Sequence, residues 1–283
     1  MIMSQSDKTE DTIDLKELFF SLIAQWKLIA LCTILSLVCA LLYLRATPDT
    51  YAVNALVQVE ESKGASAALL GDLSSMVEQK QPAQAEIEIL KSRLVLGSVI
   101  QDLNLDINIQ GLENGFIDRL ANKNQYHLEH HKDAVIFRDN QSRFNVREFK
   151  IPAHFIDTNL LLNIDGQSFS LSDANNQQVL VQGKLNQNNE LSSEYGVWNI
   201  AIYSQDQINS SYLIKKMSLP SAMNQLTAHY SVAEKGKMTG ILSLNYQGQD
   251  KVQITRILNE IFAAYSQQNI ERRSAETAQT ISF

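Results

Sequence analysis

Hydrophobic and polar positions change period repeatedly along this chain, and each change marks an element. Between Asp11 and Trp26 the apolar residues Ile13, Leu15, Leu18, Phe19, Leu22 and Ile23 recur at three- and four-residue spacing, which predicts an amphipathic helix. Thr12 or Asp14 can cap it, and Asp14 with Glu17 places carboxylates in its first turn, where the helix dipole favours them. From Leu28 to Leu44 charge disappears: no carboxylate, amine or guanidinium interrupts the run, and Lys27 and Arg45 bound it. At about 1.5 Å per residue the run spans roughly 25 Å, close to a hydrocarbon core once the snorkelling flanks are added. Only a helix satisfies its own backbone there, and a buried core helix would carry a polar stripe that this run lacks. The pattern predicts a transmembrane helix, 28–44, behind a short segment, 1–27.

After Thr47-Pro48 the period falls to two. Val53, Ala55, Val57 and Val59 alternate with Asn54, Leu56, Gln58 and Glu60, which predicts a strand. The small, polar stretch 62–81 reads as a mobile loop. Pro82 suits a helix start, and 85–96 reads as one helix with Ile87, Leu90 and Leu94 on one face. Gly97 is expected to break it before a second helical segment carrying Val99, Ile100 and Leu103. The stretch 104–219 is strand-like and rich in Asn and Gln. Its clearest signal is LLLNIDGQSFSLS, alternating residues around an expected Asp165-Gly166 turn; 179–181 and 196–203 add strands. Pro220 precedes a short helix and 240–246 is a strand. From Asp250 the helical period returns, with Ile254, Ile257, Leu258, Ile261, Phe262 and Tyr265 on one face. Asp250 is its expected cap, with Gln253 reaching back as in a capping box. No Gly, Asn or Pro terminator stands at the chain end, so the helix reads as cut and the chain as the N-terminal portion of something longer.

Composition narrows the class. Forty-five per cent hydrophobic and 19% charged residues in 283 describe a globular chain, with enough after Arg45 for one sizeable core. A net charge of −7 without any Lys/Arg cluster argues against nucleic acid. Both cysteines, Cys32 and Cys39, lie inside the apolar run, too far apart on one helix to bridge. The remainder has no cysteine, which is compatible with a bacterial periplasm. The acidic leader, the length of the apolar run and the lack of a small-x-small site favour an uncleaved signal-anchor. Charge bias alone leaves its orientation open. Cys32, Ser36 and Ala40 form a small-xxx-small stripe that would let helices approach closely in lipid.

Chemistry is hard to find. His127, Glu129, His130 and His131 place two histidines at metal-ligand spacing if helical, but the order is not H-E-x-x-H, and a solvated loop or sheet edge is the simpler reading. Asp118 with Arg119, and Arg138 with Asp139, read as surface pairs. GKMTG at 236–240 is too short for a phosphate loop, and no G-x-S-x-G is present. Asn140-Gln141-Ser142 and Asn209-Ser210-Ser211 match glycosylation triplets that are frequent by chance. No catalytic, cofactor-binding or metal residue is assigned.

Taken together, IDLKELFFSLIAQWK, TPDTYAVNALVQVE, AEIEILKSRLVLGSVIQDLNLDI, LSLNYQGQD and ILNEIFAAYSQQNIERRSAE resemble the N-terminal half of Wzz/Wzc-type polysaccharide co-polymerases, above all the bacterial tyrosine autokinases. The resemblance is weakest over 107–219. It implies an α+β fold: a cytoplasmic segment 1–27, the span 28–44, and a mixed α/β periplasmic domain 45–283 with a long, truncated C-terminal helix. It also implies a bacterial inner-membrane protein that assembles as a homo-oligomeric ring. That protein would regulate capsule or exopolysaccharide chain length and export with a polymerase and an outer-membrane exporter, and the Asn/Gln-rich surface is compatible with neighbour or glycan contacts. ATP and Mg are implied only for a kinase domain beyond this chain, which carries no P-loop. The competing readings are a co-polymerase without a kinase, the extracytoplasmic sensor half of a receptor or histidine kinase, and an anchored periplasmic enzyme.

Overall fold

The computed structural model describes residues 15–47, 49–59, 82–112, 126–140, 142–236 and 239–281. The caps expected at Thr12 and Asp14, the loop 62–81 and the Asp118–Arg119 pair lie outside these residues. The chain forms two compact units, Met1–Thr47 and Pro48–Phe283.

The first unit is two helices, α1 (Leu15–Ala24) and α2 (Trp26–Ala46), separated at Gln25. Trp26–Arg45 is 20 residues with a mean hydropathy of 2.3, none of it buried within the protein, long and apolar enough to cross a membrane. Two of its hydroxyls are satisfied on its own carbonyls: Thr33 Oγ1 donates to Ile29 O at 2.8 Å and Ser36 Oγ to Thr33 O at 2.9 Å. Within the second unit the α+β expectation holds, with two large cores and a small cluster of Ile100, Met217 and Ala222 where composition suggested one core.

The first core is an α/β base. Strand β1 (Tyr51–Gln58) pairs antiparallel with β13 (Ile241–Gly248), which pairs with β12 (Tyr230–Glu234). The register joins Tyr51 to Gly248 and Gln58 to Ile241, so segments from opposite ends of the unit share one sheet. The alternation in β1 behaves as expected: Val57 is buried while Leu56, on the other face, is 57% exposed. Helices α3 (Pro82–Leu90), α4 (Arg93–Asp102) and α6 (Lys251–Ile281) contribute Leu90, Leu96, Val99, Leu258 and Ile261 to the core against Leu242 and Leu244. The single helix expected over 85–96 is in fact two. The chain breaks at Lys91-Ser92, where Ser92 Oγ accepts from Val95 N at 3.4 Å, because a side-chain cap can start a new helix there. Leu94 consequently faces solvent at 60% exposure, and Gly97 sits inside α4 rather than ending it. A Cβ at Gly97 would lie 3.7 Å from Leu219, the first residue of α5 (Leu219–His229).

The second core belongs to the Asn- and Gln-rich middle. Ten strands form two antiparallel sheets, ordered β3-β4-β5-β10-β9 and β2-β11-β6-β7-β8. In chain order they are β2 (Ile107–Gly111), β3 (Tyr126–His130), β4 (Val135–Asp139), β5 (Arg143–Lys150), β6 (Asn159–Gly166), β7 (Ser168–Asp173), β8 (Val179–Lys184), β9 (Gln187–Ser193), β10 (Gly196–Tyr203) and β11 (Ile208–Lys216). Trp198, Tyr212, Phe137, Phe144 and Phe169 fill the space between the sheets. Phe137 stacks on Phe144, and Tyr212 meets both rings edge-on or tilted, with centroids 4.9–5.1 Å apart. Amides serve the corners. Asn189 is buried at 7% exposure, and its Nδ2 donates to Lys184 O at the β8–β9 corner and to Ile200 O on β10. Asn104 and Asn186 occupy positive φ, 53° and 63°, a region Asn tolerates better than most residues. The turn expected at Asp165-Gly166 lies one residue on. Asp165 pairs with Ser168, leaving Gly166-Gln167 as the loop, with Gly166 at φ 61°, the Gly-first pattern of a II′ turn.

Candidate functional site

The chain enters the sandwich at 104–107 and leaves it at 216–218, and polar groups bind these crossings together. Lys216 Nζ lies 2.6 Å from Asp106 Oδ2, and Met217 N donates to Asp106 O at 2.7 Å. Asp157, at φ 64°, accepts from Ser218 N at 3.1 Å, and the Ser218 hydrogen bonds hold its carboxyl below the usual carboxylate range.

A second joint fixes the edge strand β3 to the helices of the base. His130 N donates to Gln253 Oε1 at 3.0 Å, and Arg256 Nη1 donates to His130 O at 2.9 Å and to Gln253 Oε1 at 3.1 Å. Two side chains of α6 thus act as the next strand for His130, closing an edge that would otherwise be open. Asn104 Nδ2 donates to His131 O at 3.0 Å, and Asn104 O lies 3.0 Å from His130 Nδ1, which fixes Nδ1–H as the donor tautomer. Burial pushes His130 down to about 4; the Asn104 hydrogen bond opposes the fall, and His131 and Arg256 add to it. Outside the joint, Lys132 Nζ bonds Glu260 at 2.7 Å.

The histidine cluster is therefore on a strand at a sheet edge. Strand geometry removes the helical turn that would have brought His127 and His131 together; His131 Nε2 instead lies 3.4 Å from Glu129, which also faces Arg138 at 3.6 Å. Arg138 and Asp139 do not pair as expected, because adjacent strand residues point to opposite faces; Asp139 accepts from Ser142 N and Oγ. Asp250 caps α6 as predicted, accepting from Val252 N at 2.8 Å and Gln253 N at 3.0 Å. Gln253 does not complete a capping box, since its Oε1 is taken by His130 and Arg256. Its role was invisible in sequence because its partner lies more than a hundred residues away. A buried glutamine on the apolar side of a helix is the signal that would have found it.

Between β3, α5, the start of α6 and the ends of β1 and β13 lies a cleft of about 390 Å³. Leu226, Ile254 and Ile257 line its apolar part, and Tyr51, Tyr126 and Tyr246 present rings. Gln225 and His229 line it from α5, and Asp49 and Asp250 bring carboxylates. Burial raises the Tyr246 phenol to about 12. Deeper in the base, Glu86 on α3 accepts from Tyr265 OH at 2.9 Å and from Arg272 Nη2 at 2.7 Å, tying α3 to α6.

Residues 11–103 match the family described as Wzz, chain length determinant protein, which spans α1 through α4. The chain is 66% identical over 282 residues to the protein named tyrosine-protein kinase ptk of Acinetobacter johnsonii, covering all of this chain and 38% of that one. Over 11–103 the chain is thus similar to the Wzz family, and over its whole length to a named tyrosine-protein kinase. The same reach is 32% identical over 279 residues to tyrosine-protein kinase wzc of Salmonella typhimurium, covering 96% of this chain and 36% of that one. The putative tyrosine-protein kinase AmsA of Erwinia amylovora matches at 31% over 262 residues, 92% of this chain and 33% of its own. The chain thus spans less than two-fifths of the length of these relatives. A solved FlgL from Xanthomonas campestris aligns over 77% of the chain at 10% identity with a TM-score of 0.25, too low to bear on the fold.

Proposed function

We propose that this chain is the membrane-anchoring and extracytoplasmic part of a kinase-bearing polysaccharide co-polymerase, which sets the length of an exported polysaccharide. The observation that carries the reading is the Wzz match running from α1 through the apolar helix into α4, on a chain 66% identical to a named tyrosine kinase. In this reading 1–27 is cytoplasmic, α2 crosses the inner membrane, and the unit from Pro48 onward stands in the periplasm. Copies associate as a ring, with the Cys32, Ser36 and Ala40 stripe as the contact in lipid. The polymerase and the outer-membrane exporter are its partners. Phosphotransfer, with ATP and Mg, belongs to a kinase region of the parent protein, and the base and sandwich act as scaffold.

Deleting the gene and resolving the exported polysaccharide by size tests this. A shifted or lost length distribution, restored by the full gene, is the expected result; an unchanged distribution overturns it. Ser36→Leu with Ala40→Leu is expected to weaken the detergent-extracted oligomer. An unaltered oligomer removes the stripe from the proposal.

A further inference from the structure

The sandwich and the base are held together by polar groups. Their two large cores have no residue in common, and the small cluster of Ile100, Met217 and Ala222 lies where the chain crosses between them. Asp106 ties the two crossings side by side, through Lys216 Nζ and Met217 N, so they form one pivot. Beside the pivot is the clamp on β3. His130 N donates to Gln253, Arg256 donates to His130 O, and the Lys132–Glu260 ion pair lies outside them. Water can replace each of these partners on opening at small net cost, as it cannot replace apolar contact. Two observations show that the closed arrangement is incompletely satisfied. Gln253 Nε2 is buried without a hydrogen-bond partner among the described residues, because His130 and Arg256 hold the amide by its Oε1; opening would hydrate it. The cleft of about 390 Å³ also runs along this joint, between β3, α5 and the start of α6, and a packed interior leaves no such room for movement.

We propose that the β3 joint is a latch: it holds the sandwich closed on the base, and a proton taken up by His130 releases the sandwich to turn about the pivot. The groups around the ring set the direction. Asn104 O, from the first crossing, takes the Nδ1–H, which leaves Nε2 to receive the added proton. Arg256 from α6 and His131 beside it oppose that proton, while Glu129 faces His131 and Glu260 is engaged by Lys132. His127, His229, Asp49 and Asp250 share the cleft that His130 lines. While the joint is closed, burial, with His131 and Arg256 adding to it, keeps His130 neutral down to about 4. Once open and hydrated the ring titrates near the ordinary 6.5, so the open form takes the proton first and acid favours it. The latch stands on the joint's own geometry; in the co-polymerase reading it gives the scaffold two arrangements.

The test uses the full-length protein in lipid nanodiscs, with Cys32→Ser and Cys39→Ser, and nitroxide labels on Glu190→Cys of β9 and Asn224→Cys of α5, both exposed positions. Labelled protein is diluted into unlabelled copies so that distances are read within one chain. Pulsed electron spin resonance is expected to show a longer distance population that grows from pH 7 to pH 5. Hydrogen exchange, corrected for its intrinsic pH dependence, should show the His130 amide losing roughly twentyfold in protection over the same interval, the ratio implied by titration at about 4 closed and 6.5 open. Amides of β5, β10 and β13 should keep their protection. His130→Asn takes no proton and should abolish both changes. Arg256→Gln loosens the clamp and should lengthen the distance already at pH 7, with β10 still protected. Identical distances at the two pH values, protection lost alike in sandwich and base, a wild-type acid response in His130→Asn, or an unmoved distance in Arg256→Gln overturns the latch. None of these outcomes touches the polymer-length measurement, so the latch and the co-polymerase reading fail separately.

Discussion

The sandwich and the base are built from the same chain by opposite strategies. The sandwich core draws all its residues from 107–214, each strand pairing with a neighbour on an antiparallel ladder. The base core joins 57, 83–103 and 226–265, and its central strand β13 depends on β1 from the far side of the insertion. Aromatic rings and corner amides specify the first; aliphatic helix faces on a short sheet specify the second. A self-contained sequence block can thus be hung within an α/β frame, provided the crossings are tied as Asp106, Lys216 and Asp157 tie them. The Wzz match ends at residue 103, so within this unit it takes in β1, α3 and α4 of the frame but neither the sandwich nor the returning β12, β13 and α6.

The largest effect that tests this contrast is excision. A polypeptide of residues 105–217 is expected to unfold cooperatively on its own, whereas the same protein without 105–217 should lose the contacts that orient α4 and α5. A non-cooperative melt of the excised sandwich breaks the comparison. Trp198→Ala removes a fully buried ring and should cost about 3–5 kcal/mol. Hydrogen exchange should then accelerate across β3–β11 and leave β1 and β13 protected; uniform loss of protection would mean that the two cores unfold as one.

Acid comes next. An unfolded histidine titrates near 6.5, but His130 in the folded protein takes its proton only at about 4. Between these values the unfolded state binds the extra proton, so stability declines as pH falls through the window and the loss is complete below it. The total is on the order of 3 kcal/mol, at about 1.4 kcal/mol per unit. His130→Asn should flatten that part of the stability curve, measured by denaturant titration at stepped pH. The smallest expected effect is at the cap of α6: Asp250→Ala should cost about 1 kcal/mol, confined to the base. A loss in the sandwich of the same size would show that the β3 joint transmits it.

Much of the frame was legible because local chemistry decides it. The period-two pattern of β1, the uncharged run of α2 and the Asp250 cap depend on neighbours within a few residues. The split at Ser92 was missed because a side-chain cap outweighed a glycine whose missing Cβ serves contact with Leu219. The resemblance reached the family but not the ten-strand sandwich, since short polar strands give weak period signals and their pairing is set by core rings. The β3 joint and the cleft were invisible for a related reason. They are made by Gln253, Arg256 and Asn104, ordinary polar residues whose meaning comes from where the fold brings His130.

The pairing of Tyr51 with Gly248 also sets an order in time. As the chain is synthesised, β1 emerges early and has no partner until β13 is made, while every sandwich strand finds its neighbours by residue 216. An alternating Val, Ala and Leu strand left with both edges open is prone to pair with the wrong chain. The compact insertion shortens the loop that β1 and β13 must close, so folding of the sandwich first protects the strand that waits for it.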